Sequence, residues 1–325
     1  MPLDWKPFLD FVHQHSRFLL MTHVRPDADA LGSELALAEA LESVGKQVRV
    51  VIASSLPPRY DFMDPQKRVE QFESPGERFR DVDAIIILDT GTWNQLGEFA
   101  PFMKSLQVGK MVIDHHRTQD DLGAVQLVDI TAEATGRLVY EAFQTLKVPL
   151  TKTSASNIFA ALATDTGWFR HPSTSPRTLQ LAEELVRAGA NPTELYDAIY
   201  EQSSLGRLKL IGRCLDRMQV AMNGKVAYIE VFQKDFPETG ATPADTEDLI
   251  NFPRTVEGVE VGLLFIEQLG GATKVSFRSR SKIDVDKIAE HFGGGGHRLA
   301  SGATIPETLA IAREKVLEVI RAAMK

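Results

Sequence analysis

Met111-Val112-Ile113 runs directly into Asp114-His115-His116, so an apolar run that fits a buried strand delivers one carboxylate and two imidazoles to its end. Open α/β sheets place their sites beyond the carboxyl ends of strands. Two further segments share this form: Arg17 to Thr22 reads as a strand followed by His23, and Ala84 to Leu88 as a strand followed by Asp89-Thr90-Gly91. The loop His23-Val24-Arg25-Pro26-Asp27-Ala28-Asp29 adds two carboxylates ahead of Gly32-Ser33 and a helix expected over 34–44, closed by Gly45. Asp165-Thr166-Gly167 ends another helix, expected over 154–164. Adjacent histidines also occur in ordinary surface loops, and Asp before a helix is an ordinary N-cap. One acid at a strand end can be a turn former, but three strands ending in His23, Asp89 and Asp114 make chance a poor explanation.

Imidazoles and carboxylates without thiolate suit Mn²⁺ first, then Mg²⁺, with Co²⁺, Fe²⁺ or Zn²⁺ also compatible. His23, Asp27, Asp29, Asp89, His115 and Asp165 are too many donors for one ion. They suit two ions about 3.5–4 Å apart that share a carboxylate, an arrangement that ionises water and neutralises a phosphoryl oxygen during in-line displacement. The run Gly293-Gly294-Gly295-Gly296, read as a loop, lets backbone N–H groups approach a phosphate, with His297, Arg298, Arg278 and Arg280 as nearby cations. A glycine run also serves as a flexible linker. The basic neighbours and the flanking helix favour anion binding here.

The elements needed to position these groups can be read along the chain. Helices are expected over 4–15, 135–146, 176–188, 192–202 and 203–220, and strands over 47–53 and 110–113. After Asn223-Gly224 the pattern changes to strands over 225–232, 259–267 and 273–279, with helices over 244–251, 284–292 and 307–324. The expected fold is therefore α/β: an N-terminal domain (1–202) with a mainly parallel sheet and flanking helices, a helical connector (203–222), and a smaller C-terminal α+β domain (223–325) with a glycine loop. A length of 325 residues allows two ordinary domains, and 43% apolar with 25% charged residues is a soluble globular balance. No apolar run approaches the roughly 20 residues of a membrane span, and the N-terminus lacks a secretory pattern, so a cytoplasmic protein without membrane attachment is expected. The lone Cys214 excludes an intrachain disulfide. A net charge of −8 argues against gripping duplex DNA but leaves short anionic substrates open. His13, His15, His171 and His291 are expected on surfaces or loops, and Trp168 and Phe169 in the core.

The combination of His23-x-x-x-Asp27-x-Asp29-Ala-x-Gly-Ser, Asp89, Asp114-His115-His116, Asp165-Thr-Gly and Gly-Gly-Gly-Gly-His297 resembles the DHH phosphoesterase superfamily, in order and over nearly the whole chain. Within it, the two-domain length and glycine-histidine loop resemble the nano-RNase A group, bifunctional oligoribonucleases and 3′-phosphoadenosine 5′-phosphate phosphatases. The resemblance implies one ion on His23, Asp27 and Asp89 and a second on Asp29, Asp89, His115 and Asp165, with Asp89 bridging. It further implies that Asp114 orients the histidines and that His116 contacts the scissile phosphate and protonates the leaving oxygen. Arg278, His297 and Gly293 to Gly296 would hold the far phosphate or nucleotide in a cleft between domains, with Arg280 and Arg298, read from their position near the glycine run, as further candidates for substrate binding. Ala28 replaces a glycine common in relatives and offers no ligand atom either way. Implied substrates are short single-stranded RNA and nucleotide bisphosphates, with a homodimer as an open option. Alternatives are a cyclic or linear dinucleotide phosphodiesterase and, less favoured, a RecJ-like single-strand exonuclease.

Overall fold

In the computed structural model, which describes residues 3–280 and 282–324 and leaves the His297 side chain outside that description, the chain divides into units 1–202 and 203–325. The first unit begins α1 (Lys6–Gln14), β1 (Arg17–Met21), α2 (Ala28–Ser43), β2 (Gln47–Ile52), β3 (Val69–Gln71) and β4 (Ala84–Leu88). It continues α3 (Trp93–Leu96), α4 (Phe99–Ser105), β5 (Gly109–Asp114), β6 (Val125–Val128), α5 (Thr135–Leu146), α6 (Lys152–Asp165), α7 (Pro176–Arg187) and α8 (Pro192–Tyr200). Its six strands are parallel in the order β3-β2-β1-β4-β5-β6. Successive strand residues alternate faces: Phe18, Leu20, Ile86 and Ile113 meet α2, α5 and α6, whereas Leu19, Met21, Ile87 and Val112 meet α3 and α4. The central strands β1, β4 and β5 read as apolar runs because helices cover both faces.

This order has one reversal, between β1 and β4, which are paired neighbours. The chain leaves β1 through α2 on one face and leaves β4 through α3 and α4 on the other. The crevice so opened at the carboxyl ends is where such sheets place ligands. His23 follows β1 and Asp89 follows β4, so both residues border it.

Helix α2 starts six residues earlier than the spacing predicts. Asp27 is its N-cap, accepting from the Asp29 and Ala30 amides at 3.0 and 3.1 Å. Gly32 lies inside the helix because a Cβ there would collide with the Asn157 carbonyl of α6. Close α2–α6 packing overrides glycine's poor helix propensity. Edge strands β3 and β6 are absent from the sequence reading, being short and weakly apolar at Val69-Glu70-Gln71 and Val125-Gln126-Leu127.

The second unit contains α9 (Leu205–Asp216), β7 (Gln219–Ala221), β8 (Val226–Val231), α10 (Asp235–Thr239), α11 (Asn251–Thr255) and β9 (Val261–Glu267). β10 (Thr273–Ser279), α12 (Val285–His291), β11 (Gly295–His297), β12 (Ala300–Ile305) and α13 (Leu309–Ala323) complete it. The sheet order is β11-β12-β10-β9-β8-β7, antiparallel except for β8 with β9. α12 and α13 cover one face through Ile288, Ala312 and Ile320, and α9 and α10 cover the other through Leu210, Cys214 and Phe236. The stretch 203–222 is thus core-forming: Leu210 and Cys214 are fully buried, and β7 pairs with β8. A helix expected over 244–251 is replaced by a 3₁₀ turn at Pro243–Thr246 and by α11, since Asp248 adopts a left-handed backbone that interrupts helical continuation. Among the described residues no helix is long and apolar enough to cross a membrane.

Candidate active site

Seven side chains converge on the crevice. Donor atoms of His23, Asp27 and Asp89 lie within 4.8 Å of one another, as do those of Asp29, His115 and Asp165 and those of Asp89, His115 and His116. Asp89 stands between the groups: Oδ2 is 3.4 Å from His23 Nε2 and Oδ1 is 3.4 Å from His115 Nε2. His115 Nε2 is also 3.3 Å from Asp165 and 3.7 Å from Asp29, and it is buried with no hydrogen-bond partner among the described residues.

Each group is fixed by its local fold. Asp89 leaves β4 with φ +59°, a left-handed turn that aspartate tolerates better than most residues, and accepts from the Thr135 hydroxyl at 2.9 Å. Asp29, in the first turn of α2, is fully buried at the amino end of α5, whose Thr135 and Gly136 amides donate at 2.7 and 2.8 Å, while the Ser33 hydroxyl donates at 3.2 Å. A helix amino terminus favours an anion there. Asp114 ends β5 and binds the amides of His115 and His116 at 2.8 and 3.1 Å, His116 Nδ1 at 2.8 Å and Gln119 Nε2 at 2.6 Å. With Nδ1 against Asp114, His116 keeps Nε2 for other partners, and its side chain is 43% exposed against 13% for His115. The Nδ1 atoms of His23 and His115 contact the Val24 and Ala132 carbonyls at 3.0 and 3.1 Å, leaving Nε2 as the inward atom of each.

The electrostatics are those of an anion-rich crevice. Burial alone would lower His23 and His115, but the close contact with Asp89 and the charge of the surrounding carboxylates outweigh it and push them up to about 9 and about 10. Burial, reinforced by the charge of Asp89, raises Asp27 and Asp29 and takes Asp165 up to about 7. For Asp89 burial is outweighed by the two imidazoles, which hold it well below the usual carboxylate range.

Gln119, Thr135, Gly136, Ser33 and the Ala132 carbonyl escape the sequence reading. They are neutral groups whose hydrogen-bonding roles no residue type announces, Ser33 being noted only as part of the motif, and Gly91 gives a trace, since a Cβ there would collide with Gln119. Trp168 and Phe169 are half-buried against the main core, with Trp168 edge-on to Tyr196 and Tyr200.

In the second unit the glycine run is not the open loop expected. Gly293 and Gly294 donate to the Glu290 and Ala289 carbonyls at 2.9 Å, closing α12, so neither amide is available to an anion. Gly295 and Gly296 pair with Gly302 and Ser301, and side chains at Gly294 or Gly296 would strike β12. The register places Gly296 and His297 beside Ser301 and Ala300, and Ala300 opposite Arg278. The His297 side chain lies outside the described residues. Arg278 is half-buried, donates to its neighbour Phe277's carbonyl at 3.0 Å and has no ion pair among the described residues. Burial and then the charge of Arg254 lower its pKa, so Arg254 belongs to this basic cluster although the sequence reading omitted it. Arg280 is exposed and donates to the Arg254 carbonyl at 2.8 Å, and exposed Arg298 accepts from the Val285 amide at 2.9 Å.

A doubly wound parallel sheet with acids and imidazoles at its switch point, followed by a mixed-sheet unit, defines a class. Residues 17–164 match the DHH family N-terminal domain and residues 223–325 the DHHA1 domain; the chain belongs to the DHH family and is a hydrolytic phosphoesterase. It is similar to the bifunctional oligoribonuclease and PAP phosphatase NrnA of Thermus thermophilus, at 32% identity over 305 residues, covering 93% of this chain and 88% of the relative. NrnA of Bacillus subtilis is 27% identical over 294 residues, covering 90% of each. An exopolyphosphatase-related protein from Bacteroides fragilis superposes with a TM-score of 0.90 at 25% identity, over 98% of this chain and 94% of that one.

Proposed function

We propose that the chain is a cytoplasmic two-metal phosphoesterase that hydrolyses very short single-stranded RNA to mononucleotides and removes the 3′-phosphate of 3′-phosphoadenosine 5′-phosphate, with Mn²⁺ as its metal. The observation that carries this reading is the position of Asp89, with one oxygen toward His23 and the other toward His115. The donor set fits two dications: the four negative charges of Asp27, Asp29, Asp89 and Asp165 would balance them, two imidazoles would add neutral lone pairs, and the orphaned His115 Nε2 is the atom such an ion would take. His23, Asp27 and Asp89 would hold one ion, and Asp29, Asp89, His115 and Asp165 the other. When bound, such a pair polarises a phosphoryl group and acidifies water.

The remaining chemistry belongs to side chains. Asp114 orients His116 through Nδ1, so Nε2 is the atom able to give a proton to the departing oxygen. Asp114 itself is kept in place by Gln119 and two amides. In the second unit, the half-buried Arg278 with Arg254 supports binding of a remote phosphate, which positions the scissile one. The relatives' names support the substrate pair.

The test is to incubate purified protein, with Mn²⁺ or with chelator, with labelled dinucleotides, five-residue RNA, 3′-phosphoadenosine 5′-phosphate and cyclic di-AMP. Mononucleotides from RNA and AMP from the bisphosphate, both abolished by chelator, are expected. Turnover of the cyclic dinucleotide alone would assign the chain to cyclic-dinucleotide hydrolysis, and metal-independent turnover would overturn the two-metal reading.

A further inference from the structure

Glu34 is fully buried in α2, and neither carboxylate oxygen has a hydrogen-bond partner among the described residues. Other buried acids are provided for: Asp29 by α5 amides, Asp114 by two amides and Gln119, Asp235 by Arg217 at 2.7 Å. An unpaired buried carboxylate is costly, and native structures keep few of them without a reason.

The reason lies in its position. Glu34 follows Asp27 by seven residues, about two helical turns, so both occupy the same side of α2. Helical side chains lean toward the amino end of their helix, which in α2 is the end where His23, Asp27 and Asp89 gather. Burial raises the Glu34 pKa, and the charges that act on it are His23, opposing, and Asp89, reinforcing. These are members of the donor group assigned above to the first ion.

We propose that Glu34 is a positioning residue of the metal centre: its carboxylate accepts hydrogen bonds from the hydration shell of the ion held by His23, Asp27 and Asp89, and so tightens that ion. The inference rests on the two-metal reading. It accounts for a group that costs stability in the protein alone and regains it when the centre is filled, as groups surrounding metal ligands do.

The experiment compares wild type, Glu34→Gln and Glu34→Met by Mn²⁺ titration and by melting of chelator-stripped protein. The expected result is a higher apo Tm for Glu34→Met, by about 2–4 °C, and a roughly 10–100-fold weaker affinity for one of two ions in both variants. An apo Tm raised with both affinities unchanged would make Glu34 a packing defect and overturn the inference. Should Glu34→Met fail to fold, Glu34→Gln decides alone, with unchanged affinity counting against the proposal. Wild-type protein that binds no Mn²⁺ would instead defeat the two-metal reading beneath it.

Discussion

The two units treat charge in opposite ways. In the first, acids and imidazoles crowd one crevice and restrain one another, with Asp29 and Asp114 held by backbone amides and Asp89 flanked by His23 and His115. In the second, Arg278 is half-buried beside Arg254 with no ion pair among the described residues. A rigid excess of carboxylates suits cations, and two neighbouring guanidiniums, one of them half-buried without an ion pair among the described residues, suit an anion. On the proposed reading the difference assigns catalysis to the first unit and substrate retention to the second, so the two should be removable separately.

The largest effect is expected from Asp89→Ala, which takes a donor from both groups at once. Turnover should fall to assay background, and metal analysis should show lost ion; near wild-type rate with two ions bound would defeat the assignment. His116→Ala should lower kcat by about 10²–10⁴-fold with the metals retained, the loss typical of a general acid. His115→Ala should instead lose metal, and equal metal loss in the two variants would contradict their separate roles.

A smaller and selective effect is expected in the second unit. Arg278→Ala should reduce kcat/KM on dinucleotides and 3′-phosphoadenosine 5′-phosphate by about 10–100-fold, the worth of one charge-assisted hydrogen bond. Activity on bis-p-nitrophenyl phosphate, which has no second phosphate, should be nearly unchanged. Equal losses on both substrates, or none on either, would erase the contrast between the units.

The smallest effect concerns the first unit without metal. His23 and His115 have folded pKa values raised from 6.5 to about 9 and about 10, so their protonated forms stabilise the apo protein fully below pH 6.5 and cease to do so as pH rises through 9–10. Asp165, raised to about 7, acts in the same direction at lower pH. The Tm of chelator-treated protein should therefore fall by about 2–4 °C or more between pH 6.5 and 10. Mn²⁺ affinity should rise over the same range, since ligation needs neutral imidazole; an apo Tm that climbs with pH would show that the imidazoles are not paired with Asp89.

The sequence by itself singled out the candidate donors and the Asp114 that lies beside them. His23, Asp89 and Asp114 stand at or just beyond the ends of apolar runs, and a parallel sheet covered on both faces presents polar groups beyond its strand ends, with the crevice at the carboxyl ends. It determined the α/β class and the change of pattern near Asn223 for the same reason, that burial on two faces or one face writes itself into local periodicity. It misjudged the glycine run, because four glycines permit a loop, a helix cap and a strand alike, and only pairing with β12 selects between them. It could not reveal that Thr135 and Gly136 hold Asp29, that Gln119 steadies Asp114, that Arg254 stands beside Arg278, or that Glu34 is buried without a partner. Asp29 meets Thr135 and Gly136 across more than a hundred residues, and the other relations rest on positions that no motif or periodicity marks. Hydrogen bonding and burial of that sort are properties of packed neighbours, and neighbours are decided by the tertiary fold.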